Sequence, residues 1–188
     1  DLLTSSSASL DTVYTFREPL IEEAARAALN KGAQEPVTYR DLASVTQLHI
    51  IGLQIYSDDS EIWFDGENTW VYDADMREAG LYAQQGTISS LEDITNMPNL
   101  TTLCLYRQQI SDISLLEDTA IRQLGIGYNP LTDLSPLEGN TSIRSLNAAC
   151  LELSDTQVLS TLSGLQSLNI SDTGITSLAG LEACPLET

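Results

Sequence analysis

The segment ISDISLL at Ile110–Leu116 returns as LTDLSPL at Leu131–Leu137, 21 residues later. The recurrence extends beyond those seven residues. With Leu100 as position 1 of a unit, apolar side chains fall at positions 1, 4, 6, 11, 14 and 17: Leu100, Leu103, Leu105, Ile110, Ile113 and Leu116. Ile121, Leu124, Ile126, Leu131, Leu134 and Leu137 repeat the template. A third unit has Ile143, Leu146, Ala148, Leu153 and Leu159, with the polar Thr156 at position 14. A fourth has Leu165, Leu168, Ile170, Ile175, Leu178 and Leu181. The starts at 100, 121, 143 and 165 lie 21, 22 and 22 residues apart, and Leu186 stands where a fifth unit would open. One such unit cannot bury its own apolar side, so consecutive units must stack into a solenoid.

A period of 20–29 residues with an LxxLxL start is the leucine-rich repeat. The expected fold class is α/β: a leucine-rich-repeat solenoid with a parallel concave sheet and short 3-10 turns on the convex side. LxxLxL is a short strand with inward leucines, position 11 turns the chain, and positions 14 and 17 pack the far side. Asp112, Asp133 and Asp155 recur at position 13. A carboxylate there can accept backbone N–H groups as a helix cap does, a simpler role than metal binding. Position 9, where such repeats often carry Asn, holds Gln108, Asn129, Leu151 and Thr173, so an amide ladder is expected to be mostly missing.

Ahead of the repeats, Phe16, Leu20, Ala24 and Ala28 recur every four residues, as in an amphipathic helix. Glu18, Glu22 and Glu23 lie in its first half, Lys31 in its last turn, and Gly32 follows, the order that suits a helix dipole and its end. TYRD at Thr38–Asp41 is a near capping box for a second helix. Val45, Leu48, Ile50 and Ile55 then occupy positions 1, 4, 6 and 11 of another rung. Position 11 is filled again by Ile88, followed by Leu91, Ile94 and Met97, so residues 56–87 read as an insertion. Within it, SEIWFDGENTWVYD signals a β-hairpin. A tip at Gly66-Glu67 sets Trp63 opposite Trp70, with Ile62, Phe64 and Val71 on one face and Glu61, Trp63, Trp70 and Tyr72 on the other. The chain thus divides into a linker (1–15), an N-terminal helical cap (16–44), a first rung (45–55), the inserted β-hairpin (56–87) and the repeats (88–188), with the array cut short at its C-terminus.

The segments VTYRDLASVTQLHIIGLQI, ISSLEDITNMPNLTTLCL and NPLTDLSPLEGNTSIRSLNAA resemble bacterial internalin-type leucine-rich-repeat proteins over roughly 16–55 and 88–186. They are also similar to repeat regions of Gram-positive surface proteins, including those joined to membrane serine/threonine kinases. The resemblance implies a non-enzymatic protein-binding module that recognises its partner on the concave face, in an extracellular or cell-surface setting. The alternative it leaves is an extracellular sensor or scaffold segment of a membrane kinase. The chain departs from the family in its few repeats, its sparse Asn ladder and its aromatic insertion.

Composition narrows the partners. Net charge is −19, from 27 acidic and 8 basic residues, which argues against nucleic acid and anionic membrane surfaces. No stretch is apolar and long enough to enter a membrane as a helix. Asp1 reads as a mature start and Thr4–Ser9 as a linker remnant. Cys104, Cys150 and Cys184 are expected to be free thiols, and no cofactor is implied. His49 and Cys104 share position 5 in adjacent rungs, so a dyad is conceivable, against the plainer reading of a surface His beside a half-covered Cys. The acids Asp58, Asp59, Glu61, Asp65, Glu67, Asp73 and Asp75 lack calcium-loop spacing and read as a solvated loop. The triplets at Asn99, Asn140 and Asn169 match glycosylation acceptors, which a bacterial origin would leave silent.

Outward positions 3, 5 and 7 of the strands offer His49, Tyr106, Asn147 and Asn169 to the concave side. Five short strands give a patch of only a few hundred Å2, against about 800 Å2 per partner in a standard interface. Trp63, Trp70 and Tyr72 of the insertion are the natural addition, since Trp and Tyr dominate interface hot spots; the competing reading packs them onto the solenoid. The candidate ligand-binding set is Trp63, Trp70, Tyr72, Tyr106, His49, Asn147 and Asn169, for a protein, peptide or glycan ligand. The apolar side of the last rung is expected to lie open and to permit self-association.

Overall fold

The computed structural model describes residues 9–57, 63–65, 70–72 and 84–187. Helix α1, Pro19–Leu29, starts on a proline whose missing N–H costs nothing at that position. Glu22 and Arg26 pair one turn apart, and Asn30 ends the helix in the left-handed region at φ 54°. The helix buries Ile21, Ala24 and Ala25. It is shorter than its apolar repeat: Phe16 precedes it and packs edge-to-face on Tyr14, with centroids 5.0 Å apart. Lys31 lies beyond the helix and donates to Pro36 O and Asp41 Oδ2, both at 2.7 Å. Asp41 closes the capping box with Thr38 that opens α2, Tyr39–Leu42. Residues 10–14, expected in the linker, hydrogen-bond along this segment, with Tyr14 N–H to Val37 O at 2.7 Å and Arg40 N–H to Leu10 O at 2.8 Å.

The solenoid sheet runs β1 (Gln47–Ile51), β5 (Thr102–Tyr106), β6 (Gln123–Gly125), β7 (Ser145–Asn147) and β8 (Ser167–Asn169), all parallel. Leu48, Leu103, Leu124, Leu146 and Leu168 stand in register. This is position 4 of the repeat, and the apolar positions of the first three units form one continuous core. On the convex side 3-10 turns follow at Glu92–Asn96, Ser114–Leu116, Ser135–Leu137, Leu159–Thr161 and Leu181–Ala183. Asp112, Asp133 and Asp155 each accept the N–H two residues ahead at 2.8 Å. That bond holds the Asp112 and Asp133 carboxyls below their ordinary range. Thr156, polar at an apolar position, donates to Ala179 O at 2.8 Å.

The first rung differs from its template. Ile55 does not take position 11. The chain reverses at Gly52-Leu53, and β2 (Gln54–Tyr56) pairs antiparallel with β1, setting Ile55 opposite Ile50. Gly52 adopts φ 57°, and a Cβ there would collide with the carbonyl of Gln84. Ile88, fully buried, fills position 11 instead. Two buried carboxylates tie the cap to this resumed rung. Asp93 accepts the Tyr14 hydroxyl at 2.7 Å and the N–H groups of Arg17 and Glu18. Glu18 accepts the N–H groups of Ser89 and Ser90 at 2.9 and 2.8 Å.

The amide ladder has two members. Asn129 donates to Leu105, Ile126 and Gly127 carbonyls and accepts from Ile110 N–H. Gln108, one methylene longer, does the same work one rung earlier, donating to Gly52 O and Tyr106 O and accepting from Ile88 N–H. At the C-terminal end Leu168, Ile170 and Ile175 are half-buried and Leu178 is 63% exposed. Their counterparts Leu124 and Ile126 are about 1% exposed. Glu187 N–H donates to Gln166 O at 2.8 Å, repeating the bond by which each rung begins on the one before.

Candidate functional site

The concave side divides in two. Over β1 and β5 the outward positions 5 and 7 are closed, while Gln47 at position 3 is exposed and Thr102 half-buried. His49 is 3% exposed, Ile51 0%, Cys104 1% and Tyr106 6%. Ile51, Cys104 and Tyr106 form a second small core on which Tyr56 and Tyr128 pack. The hydroxyl end of Tyr106 lies over Gly125, where any Cβ would strike it. The expected accessible roles of His49 and Tyr106 are therefore corrected: alternate strand positions face outward only where nothing covers the sheet. A cleft of about 350 Å3 opens between α1 and the β1–β2 pair. Its lining includes Ala24, Ala28, Gln47, His49, Ile55 and Tyr56, with no carboxylate, lysine or arginine.

Over β7 and β8 the concave side is open. Ser145 and Asn147 are half-buried, Ser167 and Ser171 exposed, Asn169 half-buried. Asn147 and Asn169 are partners in the parallel ladder. Each turns its Oδ1 onto its own strand end: Asn147 accepts Ala149 N–H at 3.1 Å, and Asn169 accepts Ser171 N–H at 3.0 Å. That fixes both side chains and leaves both Nδ2 groups without a described hydrogen bond. Two amide donors thus stand about 4.8 Å apart on neighbouring strands.

Two rims flank this strip. At position 8 the chain leaves each strand through a left-handed residue: Arg107, Tyr128, Cys150 and Asp172, with φ between 53° and 58°. The spacing reading did not single out this row. Burial, then a hydrogen bond to Cys150, pushes the Tyr128 hydroxyl above its ordinary range. Burial also raises the Cys150 thiol, whose sulfur reaches Asp172 Oδ2 at 3.9 Å. At position 2, on the opposite rim, stand Arg122 and Arg144, both exposed.

His49 and Cys104 face each other in the β1–β5 ladder, yet both are buried, so the conceivable dyad offers no access to a substrate. All three cysteines are free. Among the described residues no group of three His, Cys, Asp or Glu side chains could hold a metal, and no helix is long and apolar enough to cross a membrane.

The inserted hairpin is present, with a different register. Strand β3, Trp63–Asp65, pairs with β4, Trp70–Tyr72, setting Trp63 opposite Tyr72, Phe64 opposite Val71 and Asp65 opposite Trp70. The expected Trp63–Trp70 pair is therefore not formed. The expected tip, Ile62, and the acids at 58, 59, 61, 67, 73 and 75 lie outside the described residues.

No protein-family model matches the sequence, and no curated protein sequence matches it significantly. Solved structures do. An internalin (InlF) of Listeria monocytogenes superposes with a TM-score of 0.62 at 25% identity, over 91% of this chain and 48% of its own. Internalin C2 of the same organism gives 0.50 at 21% identity, over 91% and 92%, a likeness of fold alone. The chain spans about half the length of the InlF structure. Its fold is that of the internalin-type leucine-rich-repeat proteins.

Proposed function

We propose that the chain is a non-enzymatic protein-binding module of a bacterial surface or secreted protein, and that its contact face is the open concave strip of β7 and β8. The observation that carries this reading is the pair of immobilised amides, Asn147 and Asn169, whose Nδ2 donors have no described partner. A polar group held rigid loses little conformational entropy on binding, so its new hydrogen bonds are retained as affinity. The likeness to internalins supports an interaction role in general. The hairpin residues Trp63, Trp70 and Tyr72 are the proposed second half of the contact, supported by residue type and by the small area of the strip alone.

The test is affinity capture on surface proteins with the purified chain and with Asn147→Ala/Asn169→Ala. A protein retained by the parent chain and lost by the variant, with both melting alike, supports the reading. Retention unaffected by the variant, and lost instead on Trp63→Ala or Trp70→Ala, moves the contact to the hairpin. A measurable turnover of any captured partner would overturn the non-enzymatic assignment.

A further inference from the structure

Basic side chains are scarce in this acidic chain, and those of the cap region are spent on carboxylates. Arg17 pairs with Glu92, Arg26 with Glu22, Lys31 with Asp41 and Arg40 with Asp11. Arg122 and Arg144 break that pattern. They occupy position 2 of successive rungs, with Arg144 N–H bonded to Arg122 O at 2.8 Å. Their backbones are one strand spacing apart, about 4.8 Å. Both are exposed, and neither has a carboxylate within ion-pair distance among the described residues. Like charges on adjacent strands repel, so the juxtaposition itself carries an electrostatic cost.

Arg144 is also held in place. Its Nη1 donates to Thr141 O at 2.6 Å and lies within 3.2–3.3 Å of Ser142 O and Ile143 O. The guanidinium rests against Gly164, where a Cβ would occupy its space. One edge is thereby satisfied by backbone carbonyls and the plane is fixed. On either side of the pair the same row is neutral, with Thr101 before it and Gln166 after it, and Glu187 follows one rung further.

From this arrangement we infer that Arg122 and Arg144 form a cationic notch on the rim of the binding strip that takes the carboxylates of an acidic segment of a protein partner. The inference rests on the reading of the open concave strip as the contact face and names the chemistry of what docks there. Two guanidiniums a strand apart match two acidic side chains, and a planar fork holds a carboxylate through two parallel hydrogen bonds. The chain's net charge of −19 opposes an acidic ligand at long range. At about 0.15 M ionic strength that repulsion is screened beyond roughly 8 Å, and the local pair governs.

The probe is a capped tetraglutamate peptide, with tetraglutamine as control, titrated into the 15N-labelled chain while arginine Nε–Hε signals are followed by NMR. The Arg122 and Arg144 signals should move together with one dissociation constant, and tetraglutamine should move neither. Arg122→Gln and Arg144→Gln should each weaken tetraglutamate at least tenfold. Gly164→Ala, which displaces the guanidinium without removing its charge, should weaken it at least threefold with little change in melting. Shifts at Arg122 and Arg144 no larger than at ion-paired Arg17 and Arg40, or binding retained by both glutamine variants, would overturn the notch. A captured partner that still binds both glutamine variants refutes the notch alone. A working notch on a chain that captures no protein refutes the broader reading alone.

Discussion

Asn129 offers a quantitative test of how the rungs are fastened. It is 7% exposed and serves four backbone groups from three segments. Its Nδ2 lies 2.8 Å from Leu105 O, 2.9 Å from Ile126 O and 3.1 Å from Gly127 O, and its Oδ1 lies 3.1 Å from Ile110 N. Asn129→Ala leaves at least the Ile110 donor and one carbonyl unsatisfied inside the stack. Each orphaned buried group costs about 1–3 kcal/mol. Water entering the vacated volume recovers part of the loss, so a net cost of about 3 kcal/mol is expected. With roughly 2–4 °C lost per kcal/mol for a chain of this size, melting should fall by about 6–12 °C. The assay is urea denaturation followed by circular dichroism, with Ser167→Ala, exposed on β8, as the comparison. A loss under about 1 kcal/mol, close to that ordinary surface site, would show that the side chain does not fasten the turn.

Leu124→Ala, at the centre of the leucine row and 1% exposed, should cost about 2–5 kcal/mol in the same assay; a cost equal to that of Ser167→Ala would refute the register. Asp41 carries an acid-sensitive contribution. Its carboxyl is lowered to about 2, first by the hydrogen bond from Lys31 and then by Thr38 N–H, from 3.8. A depressed folded pKa stabilises above the unfolded value and is lost as pH falls through the folded one. The stability gap between the parent chain and Asp41→Asn should therefore be full above about pH 4 and close toward pH 2; a gap constant with pH would contradict the pairing. Native alkylation should modify half-buried Cys150 before Cys104 and Cys184, which are 1% and 8% exposed, and unfolding should release all three. Simultaneous labelling, or a pair that resists alkylation once unfolded, would refute three separate free thiols of unequal exposure.

What was legible in the sequence is what repeats. Position 4 is leucine in the rungs because each must fill the same gap between its neighbours, so Leu103, Leu124 and Leu146 could be placed in register from spacing alone. The position-13 aspartates were legible for the same reason, since one local turn recurs with one local bond. What failed depends on residues outside the period. His49 and Tyr106 sit at outward positions, but the cluster around Tyr106 is completed by Tyr56 and Tyr128, whose approach no periodicity encodes. Ile55 and Ile88 competed for one slot with equal hydrophobicity. The deciding signal was Gly52 directly after Ile51, whose positive φ permits the reversal that sends Ile55 back along β1.

The hairpin separates two kinds of information that a strand sequence carries. Its register differs from expectation by two residues, so every predicted cross-strand partner changed. Side alternation has a period of two, however, and a shift of two returns each position to the side it had. The alternation is fixed by composition within each strand, whereas the register is fixed by the length of the connection, which composition reports weakly. The arginine notch lies beyond both kinds of signal. Position 2 is polar in every rung and carries no burial pattern. Arg122 and Arg144 became conspicuous only when the cap's Arg17, Arg26, Lys31 and Arg40 were each found on a carboxylate. A charge in a sequence is informative only against the partners that the fold provides for it.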